Sequence, residues 1–276
     1  MIRITTLIEN TQGEHLALKS EHGISFCIET PGHKIIFDTG QSGKFIENAD
    51  QLRISLDDVE YAVLSHGHYD HSGGLRELIK VNSSFELVAG EGFFNEKYAC
   101  KNGRYEFLGN NFSEDFLKEN KIRYKLLSRQ VRELVPDVFV LGSFPRIHRD
   151  ELINPRFNLL TDKGFIPDRF DDEVMIVIDT PKGLIAVLGC SHPGMRNMLD
   201  EAKSRFAKPL YAVLGGTHLV EASEESAAAA ASYLMEEQIE VIGVSHCTGK
   251  IAVNMLEKNG GRYFHNRTGS SLVLDL

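Results

Sequence analysis

The chain has no tryptophan, eight prolines and only four cysteines in 276 residues. Cys27, Cys100, Cys190 and Cys247 are far apart and show no disulfide framework. That usage fits a reducing compartment, and a cytoplasmic location is expected. Positive charge is also short: 30 Lys and Arg against 39 Asp and Glu leave a net charge of −9. A general nucleic-acid binder wants a basic face, so none is expected here. No apolar run reaches the roughly 18 residues of a membrane span, so no membrane association is expected. Met1–Leu7 alternates like a strand and lacks the apolar centre of a signal peptide. There is no internal repeat. Hydrophobic residues at 42% and charged residues at 25% are nonetheless ordinary for a globular protein, with chain enough for one large core.

The densest chemistry lies in Ser65-His66-Gly67-His68-Tyr69-Asp70-His71-Ser72-Gly73-Gly74. The apolar run Tyr61-Ala62-Val63-Leu64 before it reads as a buried strand, and Leu75–Lys80 after it has helical spacing. The glycines suit the turn between them. His66 and His68, two apart in a tight loop, can reach one point. Asp70 and His71 can reach a second point nearby. Imidazole and carboxylate suit zinc, iron or manganese. Two such metals would share a water and lower its pKa toward neutrality.

The rest of the chain alternates strands and helices. Ile2–Leu7, Ile24–Glu29 and Lys34–Asp38 read as strands, the last two joined at Pro31-Gly32. A short helix is expected over Gly43–Asp50. Asp38 is either a turn cap or the acceptor that orients a ligand histidine. Over residues 91–172 the periodicity weakens and aromatics mix with charge; this stretch is expected to be an insertion lying over the site within one domain of residues 1–276. Val174–Asp179 and Leu184–Leu188 form a hairpin of core strands. A helix over Met195–Ala207, a strand over Leu210–Leu214, a helix over Ser223–Glu237, a strand over Glu240–Ser245, a helix to Lys258 and a strand over Ser270–Leu276 follow. Four strand ends deliver ligand-type residues, at 66–71, 190–192, 218 and 246. Cys247 directly follows His246, and alternation along a strand would point it away from the site.

The His-x-His-x-Asp-His run after a hydrophobic strand resembles the signature of the metallo-β-lactamase superfamily. Glu21-His22-Gly23, Phe37-Asp38-Thr39-Gly40, Gly189-Cys190-Ser191-His192, Gly215-Gly216-Thr217-His218-Leu219 and His246-Cys247-Thr248-Gly249 resemble one branch of it. That branch contains the archaeal dihydropterin–ribofuranosylaminobenzene phosphate synthase and many bacterial metal-dependent hydrolases. The resemblance implies an α/β fold, the four-layer αββα sandwich, and two divalent metals, with zinc expected and iron or manganese as alternatives. It places His66, His68 and a third imidazole on one metal, and Asp70, His71 and His246 on the other. For the third imidazole His192 is chosen over His148 and His218. Cys190 stands where most of the superfamily has a bridging Asp and is taken as a ligand. His22 is raised only to a pocket residue. Asp70 and His218 are the candidate catalytic residues, with His218 contacting substrate or acting as an acid. Gly142-Ser143-Phe144-Pro145-Arg146 resembles a Gly-Glu-Ile-Pro-Arg stretch of the branch, so Arg146 and His148 are expected to bind substrate, an arginine suiting phosphate or carboxylate. The resemblance implies a hydroxide on the metals attacking an ester, phosphoester or lactone-type bond of a small, phosphorylated or aromatic molecule. The alternatives are a synthase-like transferase and a non-catalytic metal sensor.

Overall fold

The computed structural model describes residues 1–128, 131–237, 239–258 and 261–275. Two large sheets carry the fold. The first has the spatial order Ser271–Leu274, Ile2–Ile8, Ser25–Thr30, His33–Phe37, Tyr61–Val63, Glu86–Gly90 and Arg123–Leu127. The second runs Val241–Ser245, Leu210–Gly216, Gly183–Leu188, Val174–Thr180, Val138–Gly142 and Arg132–Val135.

The alternation of side chains decides how these sheets stack. In Val174–Thr180, Val174, Ile176 and Ile178 enter one apolar cluster while Met175 and Val177 enter another. The first cluster also holds Phe26, Ile28, Ile35 and Phe37, so the two sheets share a core. The second holds Met198 and Leu199 of the helix Met195–Phe206, Ala230 and Leu234 of Glu224–Glu236, and Leu256 of Lys250–Lys258. A third cluster joins Cys27, Ile36 and Ala62 of the first sheet to Phe45 of Lys44–Gln51 and Leu75 and Leu78 of Leu75–Val81. Helix, sheet, sheet, helix is the resulting order, the αββα arrangement expected. Each large aliphatic side chain buried this way contributes about 1.5–3 kcal/mol before conformational entropy is set against it.

The expected elements are present, with ends shifted by one or two residues. The Val174–Thr180 and Gly183–Leu188 strands pair antiparallel through Thr180 and Gly183. The final strand stops at Leu274, and Leu276 lies outside the described residues. Residues 91–172 are not one continuous insertion. Arg123–Leu127 completes the first sheet, and Arg132–Val135 and Val138–Gly142 complete the second. Among the described residues of this stretch, the hairpins Lys97–Lys101/Arg104–Phe107 and Phe157–Thr161/Gly164–Pro167 stand apart, as a four-stranded sheet. Local periodicity could not separate these pieces, because their pairing partners lie far away in the chain. No described helix is long and apolar enough to cross a membrane.

Strand register sets up the site. Leu188 pairs with Gly215 and Gly216 with Ser245, so three parallel strands of the second sheet end together. Phe37 pairs with Val63 in the first sheet. The Val174 N–H donates to the Ser65 carbonyl at 2.8 Å, joining the sheets at this edge.

Candidate metal centre

Asp38, Ser191, His218 and His246 follow strand ends, with φ of 59°, 62°, 50° and 56°. Left-handed backbone is uncommon for such residues and turns each loop sharply as it leaves its strand. Gly67 lets the ligand loop pass close to its neighbour, since a Cβ there would lie 2.3 Å from the Phe93 carbonyl oxygen.

Potential ligand atoms of His66, His68 and His192 lie within 4.8 Å of one another. His66 Nε2 is 3.1 Å from His68 Nδ1. All three residues are buried, and Phe170 stacks on the His192 ring at 3.7 Å between centroids. Phe157 lies edge-on to His192 at 5.2 Å. Burial pushes all three imidazole pKa values well down. They are therefore held neutral, the form that binds metal.

A second set surrounds Asp70. Its Oδ2 is 3.2 Å from His22 Nε2, 3.4 Å from His246 Nε2 and 3.7 Å from His71 Nε2. Burial would raise the Asp70 pKa, but His71, His22 and His246 outweigh it and hold the carboxyl well below its usual value. Cys190 lies between the sets: ligand atoms of His66, His71 and Cys190 fall within 4.8 Å of one another, and its Sγ is 3.1 Å from His71 Nε2. Burial pushes the Cys190 thiol well up, so an ionised sulfur there needs a cation beside it.

The test of fit to a metal is hydrogen bonding. Among the described residues, Nε2 of His68, His192 and His246 are buried with no hydrogen-bond partner. Leaving such a group unpaired costs about 1–3 kcal/mol, which a coordinated cation would remove. The opposite ring nitrogens are fixed where the chain supplies a partner. Asp38 Oδ2 takes His71 Nδ1 at 2.6 Å, while Asp38 also accepts from the Ser65 N–H and Oγ–H. Of the two roles open to Asp38, the orienting acceptor is the one the structure shows. Asn10 Oδ1 faces His246 Nδ1 at 2.9 Å. The residues present suit divalent first-row metals.

The comparisons with known proteins agree. The family model of the metallo-beta-lactamase superfamily matches residues 23–83. The chain is 34% identical to the 7,8-dihydropterin-6-methyl-4-(beta-D-ribofuranosyl)-aminobenzene-5'-phosphate synthase of Methanocaldococcus jannaschii, over 92% of this chain and 90% of that protein. The chain belongs to the metallo-beta-lactamase superfamily. An uncharacterized protein of the same archaeon is 29% identical over 94% of each chain. Among solved structures, Tm1679, described as a metal-dependent hydrolase of the beta-lactamase superfamily, superposes with a TM-score of 0.86 at 28% identity, covering 99% of both chains.

Within this superfamily frame several residues differ from expectation. His192 lies close to His66 and His68. His148 does not: its Nε2 pairs with Asp200 at 2.6 Å. Arg146 donates to the Arg169 carbonyl at 2.5 Å. Neither lines the cleft beside His192, a cavity of about 270 Å³ bounded by Ile153, Met195, Thr217, His218, Leu219 and Ser223 among others. His218 reaches that cleft with its ring 4.1 Å from His192. Burial, then His246 and Arg156, push its pKa down to about 4. A neutral imidazole there is suited to accept a proton or to donate a neutral hydrogen bond. Cys247 does not point away. Its sulfur lies within 4.8 Å of ligand atoms of Cys190 and His246, because the strand ends at Ser245 and the φ of 56° at His246 breaks the alternation.

Supporting residues were not visible in the sequence. Glu173 accepts from the Ser191 and His192 N–H groups, and burial raises its carboxyl to about 8. Glu9 accepts from the His246 N–H at 2.7 Å. Lys97, 1% exposed, bonds Asp168 at 2.7 Å and Asp172 at 2.9 Å, and Asp172 accepts from the Gly67 N–H. None of these belongs to a local motif; each partner arrives by tertiary folding.

Proposed function

We propose that the protein is a dinuclear metal-dependent hydrolase of a small molecule carrying an ester, phosphoester or lactone-type bond. The carrying observation is the convergence of three buried, unpaired imidazole nitrogens, on His68, His192 and His246, beside Asp70 and Cys190. His66, His68 and His192 would hold one metal; Asp70, His71 and His246 would hold the other, with Cys190 between them. Two such ions, zinc by donor chemistry with iron or manganese as alternatives, supply Lewis-acid polarisation and an activated water when bound. This chain's own part is positional. Asp38 and Asn10 fix the tautomers of His71 and His246. Glu173 holds the backbone that presents His192. The cleft beside His192 admits substrate, and neutral His218 at its wall accepts a proton or hydrogen-bonds the reacting group. The net charge of −9 favours a small-molecule partner over nucleic acid. Four free cysteines favour a reducing, cytoplasmic setting.

A second reading has its own support. The 34% identity to the dihydropterin synthase over 92% of this chain favours a transferase acting on a pterin and an aromatic phosphate compound. The cleft is lined by apolar side chains, by hydroxyls and by the carboxyl-bearing Asp150, Glu151 and Glu221. The separating experiment screens phosphodiester, lactone and thioester hydrolysis alongside pterin condensation, each with and without chelator. Chelator-sensitive hydrolysis supports the first reading. Condensation without hydrolysis supports the second. Metal binding with neither leaves a sensor.

A further inference from the structure

We propose that His22 is a ligand of the second metal, supplied by the loop that precedes the strand Ser25–Thr30. The inference rests on the two-metal reading above. Its basis is an imbalance at Asp70. Nε2 atoms of His22, His246 and His71 stand 3.2, 3.4 and 3.7 Å from the same Oδ2. His71 Nε2 has a nearer neighbour in Cys190 Sγ at 3.1 Å, but His246 Nε2 is buried with no hydrogen-bond partner, so the carboxylate leaves the set unsatisfied. A divalent cation shared among them would satisfy all three and the oxygen together. Ligand atoms of His22, Asp70 and His246 already fall within 4.8 Å of one another.

The loop is built to hold this position, although the His22 side chain is 55% exposed. Glu21, on one side, is buried and accepts from the Ser42 N–H at 3.0 Å and the Ser42 hydroxyl at 2.6 Å. Gly23, on the other side, donates its N–H to Asn10 Oδ1 at 3.0 Å. That same oxygen fixes the His246 ring, so one side chain ties the His22 loop to a second member of the set. Gly23 has φ of 139°, and a Cβ there would lie 2.4 Å from the Asp70 carbonyl oxygen. The backbone is thus pressed against the Asp70 loop in a conformation that glycine permits. A solvated surface histidine has no need of this framing.

The test is titration with cobalt(II) alone, followed by d–d absorption and by competition with a chromophoric chelator, with circular dichroism as the check on folding. The parent should take up two equivalents. His22→Ala should keep the first with unchanged affinity and weaken the second at least tenfold. His22→Gln, which keeps bulk and polarity, should weaken the second likewise. His22→Asp, which restores a ligand oxygen, should recover most of the loss. Parent-like affinity for both equivalents in His22→Ala or His22→Gln overturns the inference alone. A parent that takes up fewer than two equivalents overturns the two-metal reading and the inference with it.

Discussion

The two halves of the site are held by different forces. His66, His68 and His192 are buried among aromatic rings, and Phe157 and Phe170 pack directly on them. Phe157 belongs to the separate four-stranded sheet, so that sheet helps to seal this half. The Asp70 half is held by polar contacts instead: Asp38 on His71, Asn10 on His246, and the exposed His22 on Asp70 itself. The contrast separates two tasks. Packing keeps the first three imidazoles neutral, with His192 at the edge of the cleft. Hydrogen bonds orient the second set, in which Asp70, His71 and the His246 ring are buried while His22 is exposed.

The largest effects should come from breaking either half outright. His66→Ala or Asp70→Ala should each lower bound metal by about one equivalent, because a ligand is lost. Any turnover dependent on metal should disappear in both, as read by metal analysis and the hydrolysis screen. Lys97→Met attacks the first half from behind. It strands two buried carboxylates, Asp168 and Asp172, and should cost about 3–5 kcal/mol in urea unfolding. Because Asp172 accepts from the Gly67 N–H, the metal held by the His66 loop should loosen more than the other. Asp38→Asn attacks the second half and should weaken metal binding by about 10–100-fold, most at the site that uses His71.

Acid sharpens the same comparison in chelated protein. His66, His68, His192, His218 and His246 have folded pKa values lowered from 6.5 by burial. Their stability contribution is present above 6.5 and is lost as pH falls through the lowered values. His71 works the other way: burial is outweighed by Asp38 and Asp70, raising it to about 9. Its contribution is full below 6.5 and is lost as pH rises toward 9. Glu173, raised from 4.5 to about 8 by burial, also loses stability with rising pH across that window. Five imidazoles outnumber the raised carboxyls of Glu9, Asp168 and Glu173 below pH 6.5, so melting temperature should peak near that pH and fall on both sides. A melting temperature that keeps rising below pH 6 would contradict the burial argument. The smallest effect is expected of His148→Ala. It removes a partly exposed pair with Asp200, worth roughly 0–1 kcal/mol, and should leave metal content unchanged.

How far the sequence could be read follows from locality. His66, His68, Asp70 and His71 sit on one loop between a strand and a helix, so their spacing alone pointed to a candidate metal site. His192 and His246 were legible because each follows a clear apolar strand. His22 was not, because its partner Asp70 is 48 positions away and meets it only through loop packing. Arg146 and His148 were assigned through a short stretch whose match was incomplete at Ser143 and Phe144; the fold turns both to other partners. Cys247 was misplaced by extending strand alternation one residue too far. Sheet order was similarly hidden for Arg123–Leu127, whose neighbour Glu86–Gly90 lies beyond a hairpin and a helix.

The central claim is that two adjacent metals occupy this edge of the sandwich. Anomalous X-ray diffraction from crystals of the zinc-loaded protein tests it most directly. The account predicts two peaks, one enclosed by His66, His68 and His192 and one beside Asp70, His71 and His246. A single peak, or zinc bound away from these side chains, would contradict it.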